Sequence, residues 1–97
     1  MHHTDPDECN AEIVQLTALA QERLVRNPED PDGLFVLAAS LAACGHFKHA
    51  SSILDRLTGI DNRYPGVWHL RRTVHEAMGD FRTAELYRHN ADILSER

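Results

Sequence analysis

Gly45-His46-Phe47-Lys48-His49-Ala50 and Gly79-Asp80-Phe81-Arg82-Thr83-Ala84 are one turn written twice, 34 residues apart. Each part of that phrase has a physical task. Glycine tolerates the left-handed backbone that stops a helix abruptly. The aromatic residue two places on fills the wedge between two helices meeting at the turn, and the small alanine lets them cross closely. Positions away from the turn keep the same offset: Leu34 matches Trp68, and Leu57 matches Ala91. A helix-turn-helix unit recurring at a period of this length indicates stacked helical hairpins.

Outward from the two turns, five segments carry helix start and stop signals. The first, 6–26, opens with Asp5 as N-cap and Pro6 in the first helical position, and Asn27-Pro28 ends it. Its apolar stripe is Ile13, Leu16, Ala20 and Leu24. The second, 31–44, repeats the Asp-Pro opening at Asp30-Pro31 and stops before Gly45. From Leu34 to Cys44 it is apolar nearly all round, so a single neighbour cannot cover it. The third, 47–58, has Gly59 as its C-cap and Ala50, Ile53, Leu54 and Leu57 facing inward. The fourth, 65–78, starts at Pro65; the fifth, 81–95, carries Phe81, Ala84, Tyr87, Ala91 and Leu94 at spacings of three and four. No segment alternates with period two, so the fold class is all-α, one domain over 1–97.

This pattern resembles the tetratricopeptide repeat (TPR) family. Trp68 stands where that family favours tryptophan, and Asn27-Pro28-Glu29-Asp30 is similar to its inter-repeat junction. Subtracting the period places Ala11, Ile13 and Leu16 at the turn positions of an earlier copy. The likeness therefore covers about 10–97, one second-type helix and two full repeats. It implies antiparallel helix hairpins stacked into a short right-handed solenoid, with Phe47 and Phe81 equivalently buried at the two turns. The second copy departs from the family pattern: Arg71-Arg72 replaces a Leu-Gly pair, His75 an aromatic residue and Arg88 a bulky one. Val67, Leu70, Val74 and Ala77 also form a clean stripe one residue out of phase, which leaves the rotation of the fourth helix open.

Composition narrows the function classes. The net charge of −5 is concentrated at the front: residues 1–32 hold eight acids and two bases, while the rest is nearly balanced. A nucleic-acid binder would show a basic stripe, and this chain has none. No apolar run approaches the ~20 residues of a membrane span. The polar, acidic start Met1-His2-His3-Thr4-Asp5 is unlike a signal peptide, so the expected location is cytoplasmic. Cys9 and Cys44 suit neither a disulfide framework nor a zinc site. With both on antiparallel helices, Cys44 would face Gln15, ~9 Å along the axis from Cys9, so free thiols are expected. The seven histidines are scattered or merely adjacent, without three converging ligands, and no phosphate loop or activated nucleophile is recognisable. No enzyme activity, cofactor or metal is expected.

Binding is the remaining class. If Leu34, Leu37, Ala38 and Leu41 pack on the third helix, then Phe35, Ala39 and Ala42 turn toward a concave face. His69, Arg72, Thr73 and Glu76 of the fourth helix would form its polar wall. Such a groove suits a peptide or partner subunit with an apolar anchor, as in an adaptor, chaperone, scaffold or accessory subunit. Two alternatives stay open. The long first helix could fold across Phe35 and Val36 from inside, or the domain could self-associate to bury its second helix.

Overall fold

Hydrogen-bond patterns recur every 34 residues in the computed structural model, which describes residues 10–95. At the first turn the His46 N–H donates to the Leu41 carbonyl (2.8 Å) and the Gly45 N–H to that of Ala42 (3.0 Å). At the second, the Asp80 N–H reaches the His75 carbonyl (2.8 Å) and the Gly79 N–H that of Glu76 (3.0 Å). This double closure needs a left-handed residue, and φ is 86° at Gly45 and 81° at Gly79. The junctions between hairpins repeat too. The Asn27 carboxamide oxygen accepts from the Glu29 N–H (3.1 Å), as the Asp61 carboxylate accepts from the Arg63 N–H (2.9 Å).

Five helices result: α1 (Ala11–Arg26), α2 (Pro31–Ala43), α3 (Phe47–Ile60), α4 (Val67–Ala77) and α5 (Phe81–Ser95). No strand occurs among the described residues. Three expected boundaries shift. The expected start of the first helix at Asp5-Pro6 lies outside the described residues, and α1 begins at Ala11, where the Asn10 side chain accepts from the Glu12 N–H (2.7 Å). Gly59 does not end α3, which runs through it to Ile60. Pro65 belongs to a turn rather than to α4, because Gly66 at φ 84° adopts the left-handed backbone immediately before Val67.

Each helix packs on the next in the chain, and α2 also touches α4. The molecule measures 41 × 34 × 18 Å, and the shortest dimension is about two helix diameters. Leu34, Ala38, Ala50, Leu54, Leu57, Val67 and Val74 form the fully buried core between α2, α3 and α4. Burying each leucine or valine contributes about 1.5–3 kcal/mol. Ala50 and Ala84, the alanines of the two turns, are both buried, as are Leu57 and Ala91.

The aromatic positions are not equivalent. Phe47 packs against the core, whereas Phe81 is 67% exposed. Phe47 lines a depression with Met78, at the end of α4. No described helix follows α5 to do the same for Phe81.

Arg71 decides how α4 is rotated. Its buried face carries Val67, Arg71 and Val74: two members of the out-of-phase stripe, with Arg71, at the position of the resembled family's leucine, between them, while Leu70 is half-buried and Ala77 exposed. The guanidinium is only 5% exposed. One terminal nitrogen donates to Asp55 (2.6 Å) and to the Tyr87 hydroxyl (2.7 Å), the other to the Thr58 hydroxyl (3.2 Å). The cation also lies over the Tyr87 ring at 4.5 Å and the Trp68 ring at 5.5 Å. One side chain thus ties α3, α4 and α5 together.

The free-thiol expectation fails at Cys44, which is disulfide-bonded. The other cysteine in the chain, Cys9, lies outside the described residues. The expectation assumed helical rise as far as Cys9, but α1 begins at Ala11 with Asn10 as its N-cap.

Two measurements check these features. The unreduced chain should be lighter than the reduced chain by the two hydrogens of one disulfide; equal masses would refute it. Arg71→Ala should cost about 1.5–3 kcal/mol in urea unfolding with an unchanged slope, the range for lost hydrogen bonds to a charged group. Arg71→Lys should recover only part of that loss, because an ammonium cannot reproduce the planar fork.

Candidate docking face

Helical spacing assigns the sides of α2. Gly33 meets α1, where a Cβ at its position would stand 3.1 Å from the Leu24 side chain. Leu34 and Ala38 belong to the core shared with α3 and α4. Phe35 turns toward the entry to α4: its ring lies 5.0 Å from that of Tyr64, and its edge abuts Gly66. What remains open is the strip Asp32, Val36, Ala39 and Ala43, at steps of four, three and four along one face.

That strip continues onto α1. Leu16, Leu19 and Ala20 line a shallow depression of about 170 Å³ together with Gly33 and Val36 of α2, and Arg23 and Asp32 form its polar edge. Leu16 is 48% and Leu19 58% exposed. The expected inward stripe of α1 therefore shifts at one position. Thr17, half-buried, takes the place given to Leu16, and its hydroxyl donates to the Ile13 carbonyl (2.8 Å). A threonine that satisfies its own polar atom within the helix can sit against α2 and leave a leucine outside.

The other expected site residues divide into two groups. His69, Thr73 and Glu76 are exposed on α4, on the side away from Val67, Arg71 and Val74, with Arg72 half-buried among them. The Arg72 Nε is buried without a hydrogen-bond partner. Ala39 and Ala42 are half-buried on α2. Phe35 is half-buried and packed against the core, so it acts as a junction residue more than as an open anchor. Of the apolar members, Leu16 was expected on the inward stripe of α1, Val36 under that helix, and Leu19 in neither place.

A polar lattice holds this face at one end. The Tyr64 hydroxyl donates to Asp32 (2.6 Å), tying the start of α2 to the loop before α4. Arg23 of α1 pairs with Asp30 (2.5 Å) and with Asp32 (3.6 Å). The hydrogen bond from Arg23 is the main reason the Asp30 carboxyl lies below its ordinary range. Burial, then the hydrogen bond to Asp32, pushes the Tyr64 phenol up to about 12.

Ser51, His75 and Asp80 make a second polar group. The Ser51 hydroxyl lies 3.2 Å from His75 Nε2, and Asp80 lies 3.0 Å from Nδ1. These residue types occur together in hydrolases; here their contacts join α3, α4 and the start of α5. Ser51 stands inside α3, where N–H groups are committed to the helix ladder and are not free to hold an oxyanion. Asp80 also accepts from the Thr83 N–H at the start of α5. Its carboxyl is held low by the hydrogen bonds from Thr83 first and His75 second. The group fastens α3, α4 and α5. Among the described residues, no three His, Cys, Asp or Glu side chains converge as metal ligands.

Comparison of the chain with protein-family models, with curated proteins and with solved structures gave no match.

Tyr64 offers a direct check of the lattice. A phenol raised from 10.0 to about 12 in the folded chain contributes stability below pH 10, and that stability is lost as pH rises toward 12. Ultraviolet titration should show a phenol ionising near 12 that disappears in Tyr64→Phe and moves down in Asp32→Asn. A component near 12 that survives Tyr64→Phe would rule the assignment out.

Proposed function

We propose that this chain is a protein–protein interaction module: a TPR-like stack of helix hairpins that holds a peptide or partner subunit across α1, α2 and α4. The observation that carries this reading is the uncovered apolar strip from Leu16 and Leu19 through Val36 to Ala39 and Ala43, beside the polar face of α4. The hydrogen-bond pattern recurring every 34 residues supports the repeat assignment and, with it, the right-handed solenoid. At about 170 Å³ the depression is smaller than the roughly 300–1,000 Å³ of a typical small-molecule site, which favours a macromolecular occupant. An adaptor, a chaperone or an accessory subunit of a larger assembly fits this geometry.

Self-association is the competing reading, favoured by Leu86 and Ile93, exposed two turns apart on α5. Location follows from a separate balance. No described helix is long and apolar enough to cross a membrane. A cytoplasmic setting, expected from the sequence, conflicts with a disulfide at Cys44, since reducing compartments keep thiols open. Trapping thiols at lysis of the native host shows which state the chain occupies there.

Affinity capture from the native host with two baits tests the binding face. A partner recovered by the natural chain should be lost by Ala43→Arg, whose long cation blocks the exposed end of the strip. Its helix content should be unchanged, because a surface substitution usually stays within about 0.5 kcal/mol. Identical captured sets from both baits would exclude this face. A dimer in light scattering that Leu86→Lys dissolves would replace the proposal with self-association.

A further inference from the structure

The groove between α1 and α2 has a particular electrostatic setting. Residues 10–32 carry five carboxylates, Glu12, Glu22, Glu29, Asp30 and Asp32, against two cations, Arg23 and Arg26. Arg23 is already engaged by Asp30 and Asp32. Glu12 stands one turn before Leu16 and two turns before Leu19 on the exposed side of α1, and Glu22 stands one turn after Leu19. The apolar floor is thus flanked by more carboxylates than cations: Arg23 is neutralised, and Arg26, exposed two turns after Leu19, is a further cation on that side of α1.

Resting on the interaction-module reading, we propose that this groove receives an amphipathic α-helix from a different protein, apolar on one side and lysine- or arginine-rich along its edges. The floor is formed by two helices packed side by side, and a third helix laid into the seam matches their ridges and grooves. α1 is 16 residues long, which gives about 24 Å for the incoming helix to follow. Leu16 and Leu19 receive its apolar face, with Val36 as the far wall.

The same charges argue against a second copy. A two-fold interface sets the same net-acidic surface, Glu12, Glu22, Glu29, Asp30 and Asp32 against Arg23 and Arg26, on both sides. Like charges brought together at an interface suppress that partner, whereas a basic helix is attracted and steered in. Apolar burial and net charge complementarity agree best for a basic, non-identical helix.

Two designed helical peptides of about 16 residues test this, identical in their leucine face and differing in lysine or glutamate flanks. Fluorescence anisotropy with the full chain should show the lysine-flanked peptide binding roughly tenfold tighter at low salt, with the gap narrowing as salt rises. The E12K/E22K variant should erase or reverse the preference. Leu19→Ser should weaken both peptides while the thermal midpoint stays put, since Leu19 is already exposed. If both peptides bind equally through Leu19, docking stands and the basic-helix proposal falls. If neither binds, or if concentration-dependent dimerisation is what Leu19→Ser abolishes, the groove has no such partner. A large drop in the Leu19→Ser midpoint would mean that the chain itself covers the groove, which also overturns the proposal.

Discussion

The second helix imposes the constraint to which the other helices respond. Between Gly33 and Cys44 it offers one polar side chain, Ser40, and that residue is buried. A helix this apolar is stable in water only if several neighbours share its surface. Three do so: α1 on the side of Gly33, α3 on the side of Leu34 and Ala38, and α4 near Phe35. The fourth side has no partner among the described residues, and the candidate docking face lies there. Core packing and the candidate docking face therefore meet in one element, because the surplus apolar surface that organises the core also leaves a partly open strip.

The far end of the molecule is held by different physics. Around α5 the packing residues are small, Ala84 and Ala91, and the larger contacts are polar or aromatic. Arg71 supplies what a leucine would otherwise supply, through hydrogen bonds to Asp55, Thr58 and Tyr87 and through contact with two rings. Leaving one partner of such an arrangement unmatched inside the protein is costly. The cost here is limited because the Asp55 side chain stays 66% exposed and keeps its water. The second repeat is thus more polar than the first without being unsupported, and α4 can present His69, Thr73 and Glu76 outward.

Much of this was legible in the residues. The two glycines, the two alanines and the period of 34 place five helices and both turns, because a left-handed glycine leaves few other backbone solutions. Three features were not legible, each for a physical reason. Leu16 and Thr17 compete for the same side of α1, and spacing alone cannot reveal that Thr17 satisfies its hydroxyl on the Ile13 carbonyl. Phe47 and Phe81 occupy equivalent places locally, yet their burial depends on what stands beyond the turn: Met78 in one case, no described helix in the other. Arg71 looks like a break in an apolar pattern until Asp55 and Tyr87, each 16 residues away, are seen converging on it.

The docking face was read in the same partial way. The polar residues of α4 were assigned to one exposed side, and spacing suffices for that because an isolated helix face follows from period alone. The expected apolar side, Phe35 with Ala39 and Ala42, lies near α4 and is half-buried. Phe35 is the largest residue on α2, and the loop before α4 brings Tyr64 and Gly66 against it, so much of its surface is already used. The uncovered area moves one position along, to Val36, and from there across to Leu16 and Leu19. That displacement changes the chemistry of the face. Near α4 an incoming chain would meet Arg72, His69 and Glu76 together, a mixed surface of weak charge preference. Near α1 it meets carboxylates around a leucine floor, with Arg23 neutralised by Asp30 and Asp32. Burial of apolar area supplies affinity wherever the fit is good, but sign-specific charge selects the partner. The acidic front of the chain, unremarkable as composition, acquires a consequence because the fold sets it beside the apolar surface that α2 leaves uncovered.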